Sequence, residues 1–193
     1  MVNCLSSEFS ADFINAAEKG NLAVVRTMLD NKLVSIDCKG TSGNTALMSA
    51  ARGGYLEMVK HLVGRGAMLE AKNGNKVTAL GFACLQSSSH TRIIEFLLDN
   101  RADPNANDYA LTTPLHRIAI CNNTDAATLL LRNRADPYAK NNADFTPYDI
   151  AMQRRNFGVA MLLPQYDAFE SLKSGSEALK RLHRRAGNAK RIR

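Results

Sequence analysis

Four histidines (His61, His90, His116 and His183) and four cysteines (Cys4, Cys38, Cys84 and Cys121) are the side chains of this 193-residue chain best suited to acid–base, nucleophilic or metal chemistry. Their spacing argues against all three. The cysteines stand 34, 46 and 37 residues apart and none forms a C-x-x-C pair, so neither a zinc site nor a disulfide framework is indicated and reduced thiols are expected. No histidine pairs with a carboxylate or cysteine at a site-like spacing. Ser87-Ser88-Ser89 beside His90 has the look of a nucleophile next to a base, but a serine run in a turn reads as a solvated loop. Phosphate-binding G-x-x-x-x-G-K-[ST], nucleophile-elbow G-x-S-x-G and zinc-binding H-E-x-x-H are all missing. The expectation is no catalytic residue, no metal, no cofactor and no small-molecule substrate.

What the chain does contain is a period. Thr45-Ala46-Leu47, Thr78-Ala79-Leu80, Thr113-Pro114-Leu115-His116 and Thr146-Pro147-Tyr148 place their threonines 33, 35 and 33 residues apart. After Thr45, the small Ala50 and Ala51 allow a close helix neighbour, and Gly54 ends the helix in the left-handed conformation glycine tolerates. Leu56, Met58, Val59, Leu62 and Val63 then recur at helical spacing, which predicts a second amphipathic helix closed by Gly66-Ala67. His61, beside Lys60, is expected on its exposed side. The next units repeat this grammar with Ile93, Ile94, Phe96, Leu97 and Leu98, then Leu129, Leu130 and Leu131, then Val159, Met161, Leu162 and Leu163, with Pro164 ending the last. The turn from Gln86 to Thr91 is two residues longer than its counterpart, which accounts for the 35-residue interval. Neither helix of a unit can bury its apolar side alone, so the units must stack.

A period near 33 opening with T-P-L-H resembles the ankyrin repeat family. The resemblance covers residues 8–166, with residues 8–39 read as an N-terminal capping repeat that lacks the T-P-L-H start. It implies an all-α ankyrin-repeat solenoid: stacked helix–turn–helix units joined by β-hairpin-like loops. The units fall at 8–39, 40–72, 73–107, 108–140 and 141–170, after an N-terminal extension (1–7) and before a basic C-terminal tail (171–193). The family pattern also implies local polar bonding between Thr113 and His116 that fixes a helix start. Gly43 holds the hairpin's turn-glycine position, whereas Lys76, Leu111 and Asp144 occupy it elsewhere, so those three turns are expected to be looser or shifted.

The resemblance further implies a non-enzymatic protein-interaction module whose partner docks on the concave face of hairpin tips and first-helix edges. Mapped onto this chain, those positions are Ser42, Asn44 and Arg52; Asn75, Val77 and Gln86; Tyr109, Ala110, Leu111, Thr112 and Asn122; and Asn142, Phe145 and Arg154. Tyr109, Leu111 and Phe145 put large apolar groups where a solvent-facing loop is normally polar, and aromatics and arginines dominate interface energetics.

Composition is that of a folded protein, with 45% hydrophobic and 22% charged residues. No apolar run reaches the roughly 20 residues needed to span a bilayer. Met1-Val2-Asn3-Cys4-Leu5 has neither the basic start nor the apolar core of a secretory signal, so a cytoplasmic location is expected. The net charge of +7 is confined to one place: residues 1–170 are balanced, while residues 171–193 hold eight basic groups against Glu177 alone. Ser174 and Glu177 are spaced as a capping box, and Leu179, Leu182 and Ala186 line one side of a short basic helix pattern. Lys180, Arg181, Arg184, Arg185, Lys190, Arg191 and Arg193 give this tail the chemistry to bind nucleic acid, an anionic membrane or a transport receptor. The alternative readings are therefore a nucleic-acid or membrane adaptor, directed to the nucleus in one form, or a bacterial effector delivered into host cells.

Overall fold

Each repeat-marking threonine starts a helix. In the computed structural model, which describes residues 7–85 and 90–163, Thr45, Thr78, Thr113 and Thr146 all take an extended backbone and cap the helix that follows. The Oγ1 atoms of Thr45, Thr78 and Thr146 accept the backbone N–H three residues on, satisfying a donor with no intrahelical partner. Pro114 and Pro147 take first-turn positions, where a missing N–H costs nothing.

The described residues form ten helices and no strand: α1 (Ser7–Glu18), α2 (Leu22–Asp30), α3 (Ala46–Gly53), α4 (Leu56–Gly64), α5 (Ala79–Ala83), α6 (Thr91–Asp99), α7 (Pro114–Cys121), α8 (Thr124–Arg132), α9 (Pro147–Gln153) and α10 (Phe157–Leu162). They pair consecutively into five helix–turn–helix units. The first helices α1, α3, α5, α7 and α9 form one row, and α4, α6, α8 and α10 run along the row behind.

Small residues set the spacing of the front row. Ala17, Ala51, Cys84 and Ala119 share one register and are fully buried, as are Ala50, Ala83, Ile118 and Ala151 in the register before it. The larger groups Met58, Ile93, Ile94, Leu97 and Leu130 fill the space between rows. Truncating one such leucine to alanine costs about 2–5 kcal/mol.

The hairpin turns correct the expectation that those without glycine are looser. Gly43, Lys76, Leu111 and Asp144 all have left-handed backbone, with φ of 73°, 61°, 55° and 63°. Each turn closes with the same two backbone bonds; Lys76 N–H donates to the Asn73 carbonyl as Gly43 N–H donates to Gly40. Asn73, Asp108 and Asn141 supply what the missing glycine does not. Each Oδ1 accepts two backbone N–H groups, two and four residues ahead, at 2.8–3.1 Å. Two such bonds contribute on the order of 1 kcal/mol each, comparable to the cost of a left-handed L-residue. The first hairpin has Gly40 at this position and no side chain to help, and it keeps glycine at 43.

His61 also departs from expectation. It is half-buried, and its Nε2 is shielded from solvent without a hydrogen-bond partner. Burial, reinforced by Arg26 and Arg65, lowers its pKa below the usual histidine value.

Candidate protein-binding face

The hairpin tips are knitted into one continuous edge. Gly74 N–H donates to the Ser42 carbonyl at 3.3 Å, Tyr109 N–H to Asn75 at 3.3 Å, and Asn142 N–H to Ala110 at 2.9 Å. Asn142 adds a side-chain bond from Nδ2 to the Tyr109 carbonyl at 3.0 Å. This ladder leaves the tips as a rigid platform with the turn side chains projecting from it.

On that platform Tyr109 is 61% exposed, Leu111 45% and Phe145 42%, and Ala110 lies open between the first two. The Lys76 ammonium sits 4.6 Å from the Tyr109 ring centroid, a cation–π contact that orients the ring without covering it. Phe145 is fixed through its backbone: its carbonyl accepts a bond from His116 Nε2 at 3.0 Å. With that nitrogen donating, Nδ1 is the acceptor for Thr113 N–H at 3.2 Å, and the Thr113 hydroxyl lies 2.8 Å away. The Thr113–His116 bonding implied by the family pattern is thus present, and it reaches one unit further than expected. Burial lowers the His116 pKa and keeps the ring neutral, as its acceptor role requires.

The other positions divide by what holds them. Ser42, Asn75 and Asn142 are exposed at the tips, and Thr112 is half-buried with its N–H on Asp108. Arg52 is exposed, paired with Glu18 at 2.9 Å, with its guanidinium 6.0 Å from the Phe82 ring centroid. Arg154 is exposed. Asn122 takes a left-handed conformation at the end of α7, and its Oδ1 accepts Val159 N–H of the next unit at 3.2 Å, which gives it a stacking role. Asn44 and Val77 are corrections, being 9% and 8% exposed. Asn44 accepts from Asn73 Nδ2 at 2.8 Å, so it braces the neighbouring hairpin and offers no surface. Gln86, Ser87–Ser89 and the whole basic tail lie outside the described residues.

Sequence reasoning missed Lys76 beside Tyr109, and Asp108 and Arg117 beneath it. The recurrence of Asn or Asp five residues before three of the four repeat threonines, at 73, 108 and 141, was the available signal for the turn.

Cys84 and Cys121 have thiol pKa values pushed up by burial, which suppresses the reactive thiolate. Among the described residues no three His, Cys, Asp or Glu side chains gather as a metal site, and no helix is long and apolar enough to cross a membrane.

Comparison with known proteins agrees with the geometry. A family model described as Ankyrin repeats (3 copies) matches residues 13–108, and a second, Ankyrin repeats (many copies), matches residues 97–151. The chain belongs to the ankyrin repeat family. Ankyrin repeats are generally protein–protein interaction modules, and theirs is a non-enzymatic interaction fold. The "Ankyrin repeat, SAM and basic leucine zipper domain-containing protein 1" of Saimiri boliviensis boliviensis is 35% identical over 106 residues, 53% of this chain and 22% of that protein. "Ankyrin repeat domain-containing protein 29" of Danio rerio is 46% identical over 52 residues, 27% of this chain and 17% of its own length. "Ankyrin repeat and KH domain-containing protein mask-1" of Caenorhabditis elegans is 35% identical over 99 residues, 50% of this chain and 4% of that protein. This ankyrin chain therefore spans about a fifth or less of the relatives it matches.

Proposed function

We propose that this ankyrin repeat protein binds a protein partner across the hairpin tips of its third to fifth units, with Tyr109, Leu111 and Phe145 as the apolar centre. The observation that carries the reading is the exposure of these three large apolar groups on a ladder that fixes their backbones. Apolar and aromatic groups held rigid before binding lose little entropy on association, which is the profile of an interface hot spot. Ser42, Asn75 and Asn142 supply a polar rim, and Arg52 extends it along the first helices. The reading includes no catalytic step and places the protein in the cytoplasm.

The basic tail favours a second reading, because all of the chain's excess positive charge lies in residues 171–193. In that case the partner is a nucleic acid, an anionic membrane or a transport receptor, and binding weakens steeply as salt rises. Capture from cell extract separates the two. The full chain, a Tyr109→Ala/Phe145→Ala variant and a chain ending at Leu172 are compared at low and high salt. Loss of a captured protein in the first variant and its retention in the second supports the hairpin face. The reverse pattern, with strong salt dependence, moves the partner to the tail.

A further inference from the structure

The hairpins change character along the ladder, from charged to apolar. Lys39 and Lys72 hold the same register, six residues before Thr45 and Thr78, and Lys76 stands at the second turn. All three are exposed. The Lys39 ammonium donates to the Lys72 carbonyl at 2.8 Å, which draws the charge of the first hairpin onto the second. The Lys76 ammonium rests over the Tyr109 ring. None of the three forms an ion pair among the described residues. Asp37 and Glu70, the carboxylates nearest to Lys39 and Lys72 in sequence, instead accept the backbone N–H groups of Met68 and Asp103, each at 2.9 Å. On the third and fourth hairpins the carboxylates are already matched, Asp108 by Arg117 at 2.6 Å and Asp144 by Lys140 at 3.0 Å. The ladder is therefore positive at its first two hairpins and apolar at its last two, where Tyr109, Leu111 and Phe145 are exposed.

We infer that the docking segment of the partner is an acidic, extended peptide. Its carboxylates meet Lys39, Lys72 and Lys76, and large apolar side chains toward one end meet Tyr109, Leu111 and Phe145. The inference rests on the hairpin tips being the docking face and specifies the ligand of that face. Charge selects the sign, since three unmatched ammonium groups attract carboxylates and exclude a basic competitor. Spacing selects the form. Neighbouring helices pack about 8–10 Å apart, and an extended chain advances about 3.3 Å per residue. Every third residue of a segment lying along the ladder thus reaches the next unit, which gives the pattern acid-x-x-acid-x-x-apolar-x-x-apolar. A nucleic-acid strand matches the face less well. Its phosphates continue past the second hairpin, where they would meet Leu111, Phe145 and the Asp144 carboxylate.

The test uses the full chain and three libraries of peptides about twelve residues long. Each has apolar residues at every third position of one half, and Glu, Gln or Lys at every third position of the other. Retention on the immobilised chain is expected to be about five- to tenfold higher for the Glu library than for the Gln library, and lowest for the Lys library. Lys39→Glu/Lys72→Glu/Lys76→Glu should reverse that order, and Lys39→Gln/Lys72→Gln/Lys76→Gln should abolish it. Tyr109→Ala/Phe145→Ala should weaken retention of every library. A Glu preference that survives in both lysine variants belongs to the basic tail and overturns the inference. Equal retention of the Glu and Gln libraries also overturns it. If that equal retention still falls in Tyr109→Ala/Phe145→Ala, the apolar docking face stands without an acidic ligand; if it does not, both readings fall. Retention of no library overturns the inference by showing that the face does not take an extended segment. A single-stranded RNA of about twelve nucleotides that binds more tightly than the Glu library, and loses that binding in the lysine variants, overturns it in favour of a nucleic acid.

Discussion

Arg117 on α7 donates from Nη2 to Oδ2 of Asp108 at 2.6 Å, with both side chains largely buried, while the other Asp108 oxygen closes the hairpin turn. The pairing is matched across repeats. Where the turn residue is Asn73 or Asn141, the position in register with Arg117 is the apolar Phe82 or Ile150. A charged turn residue comes with a charge beneath it, and a neutral one with an apolar side chain. Either combination avoids an uncompensated buried charge.

Arg117→Ile and Asp108→Asn should therefore each destabilise the chain, by about 3 kcal/mol, since each strands the partner's charge. Together they install the solution already used at Asn141 and Ile150, and the double variant should lie within about 1 kcal/mol of the parent. Urea midpoints of the four chains measure this. Losses that simply add would mean that the two residues act separately.

The stacked helices were legible because the information is local and periodic: a capping threonine, a small residue five or six positions on, and a second helix with a wide apolar side. The turns were only half legible. Lys76, Leu111 and Asp144 look wrong for a left-handed position until the side-chain acceptor three residues earlier is counted, and that compensation lies in Asn73, Asp108 and Asn141. Asn44 and Val77 misled for another reason. Residues on either side of a turn have similar sequence character, and only the neighbouring hairpin decides which face inward. The exposed tips at Tyr109 and Phe145 were readable as apolar residues out of place, but Lys76 joins Tyr109 across 33 residues and has no signature along the chain.

His116 makes stability depend on pH. Its folded-state pKa lies below the ordinary value of 6.5 because it is buried, so the unfolded chain takes up a proton first as the solution is acidified. The contribution is fully present above about pH 6.5. It is lost as pH falls from there through the lowered folded value. His61 shifts in the same direction. The denaturation midpoint should fall between pH 7 and pH 5, less steeply in His116→Gln than in the parent. An identical pH profile in that variant would remove His116 from the explanation.

Tyr109→Ala should change stability little, because the ring is mostly exposed and loses only its contact with Lys76. An exposed cation–π pair is worth about 0.5–1 kcal/mol, against roughly 3–5 kcal/mol for a buried aromatic. A urea midpoint shift corresponding to less than about 1 kcal/mol is expected. Unfolding at neutral pH would show that the ring supports the hairpin ladder and is not a docking group.

Leu111→Gly separates folding from binding at the same site. Leu111 holds a left-handed backbone at φ 55° with 45% of its surface exposed. An L-residue there costs about 1–2 kcal/mol, and glycine gives back part of that gain through the greater freedom of the unfolded chain. The net expectation is a stability gain of about 0.5 kcal/mol, and the Asp108 bonds to Ala110 and Thr112 need no side chain at 111 to persist. Affinity should move the other way, falling at least about tenfold if Leu111 belongs to the apolar centre. Paired urea denaturation and binding measurements read both signs at once. A stability loss above about 1 kcal/mol would mean that the leucine packs to hold the turn. Unchanged affinity would place the partner elsewhere.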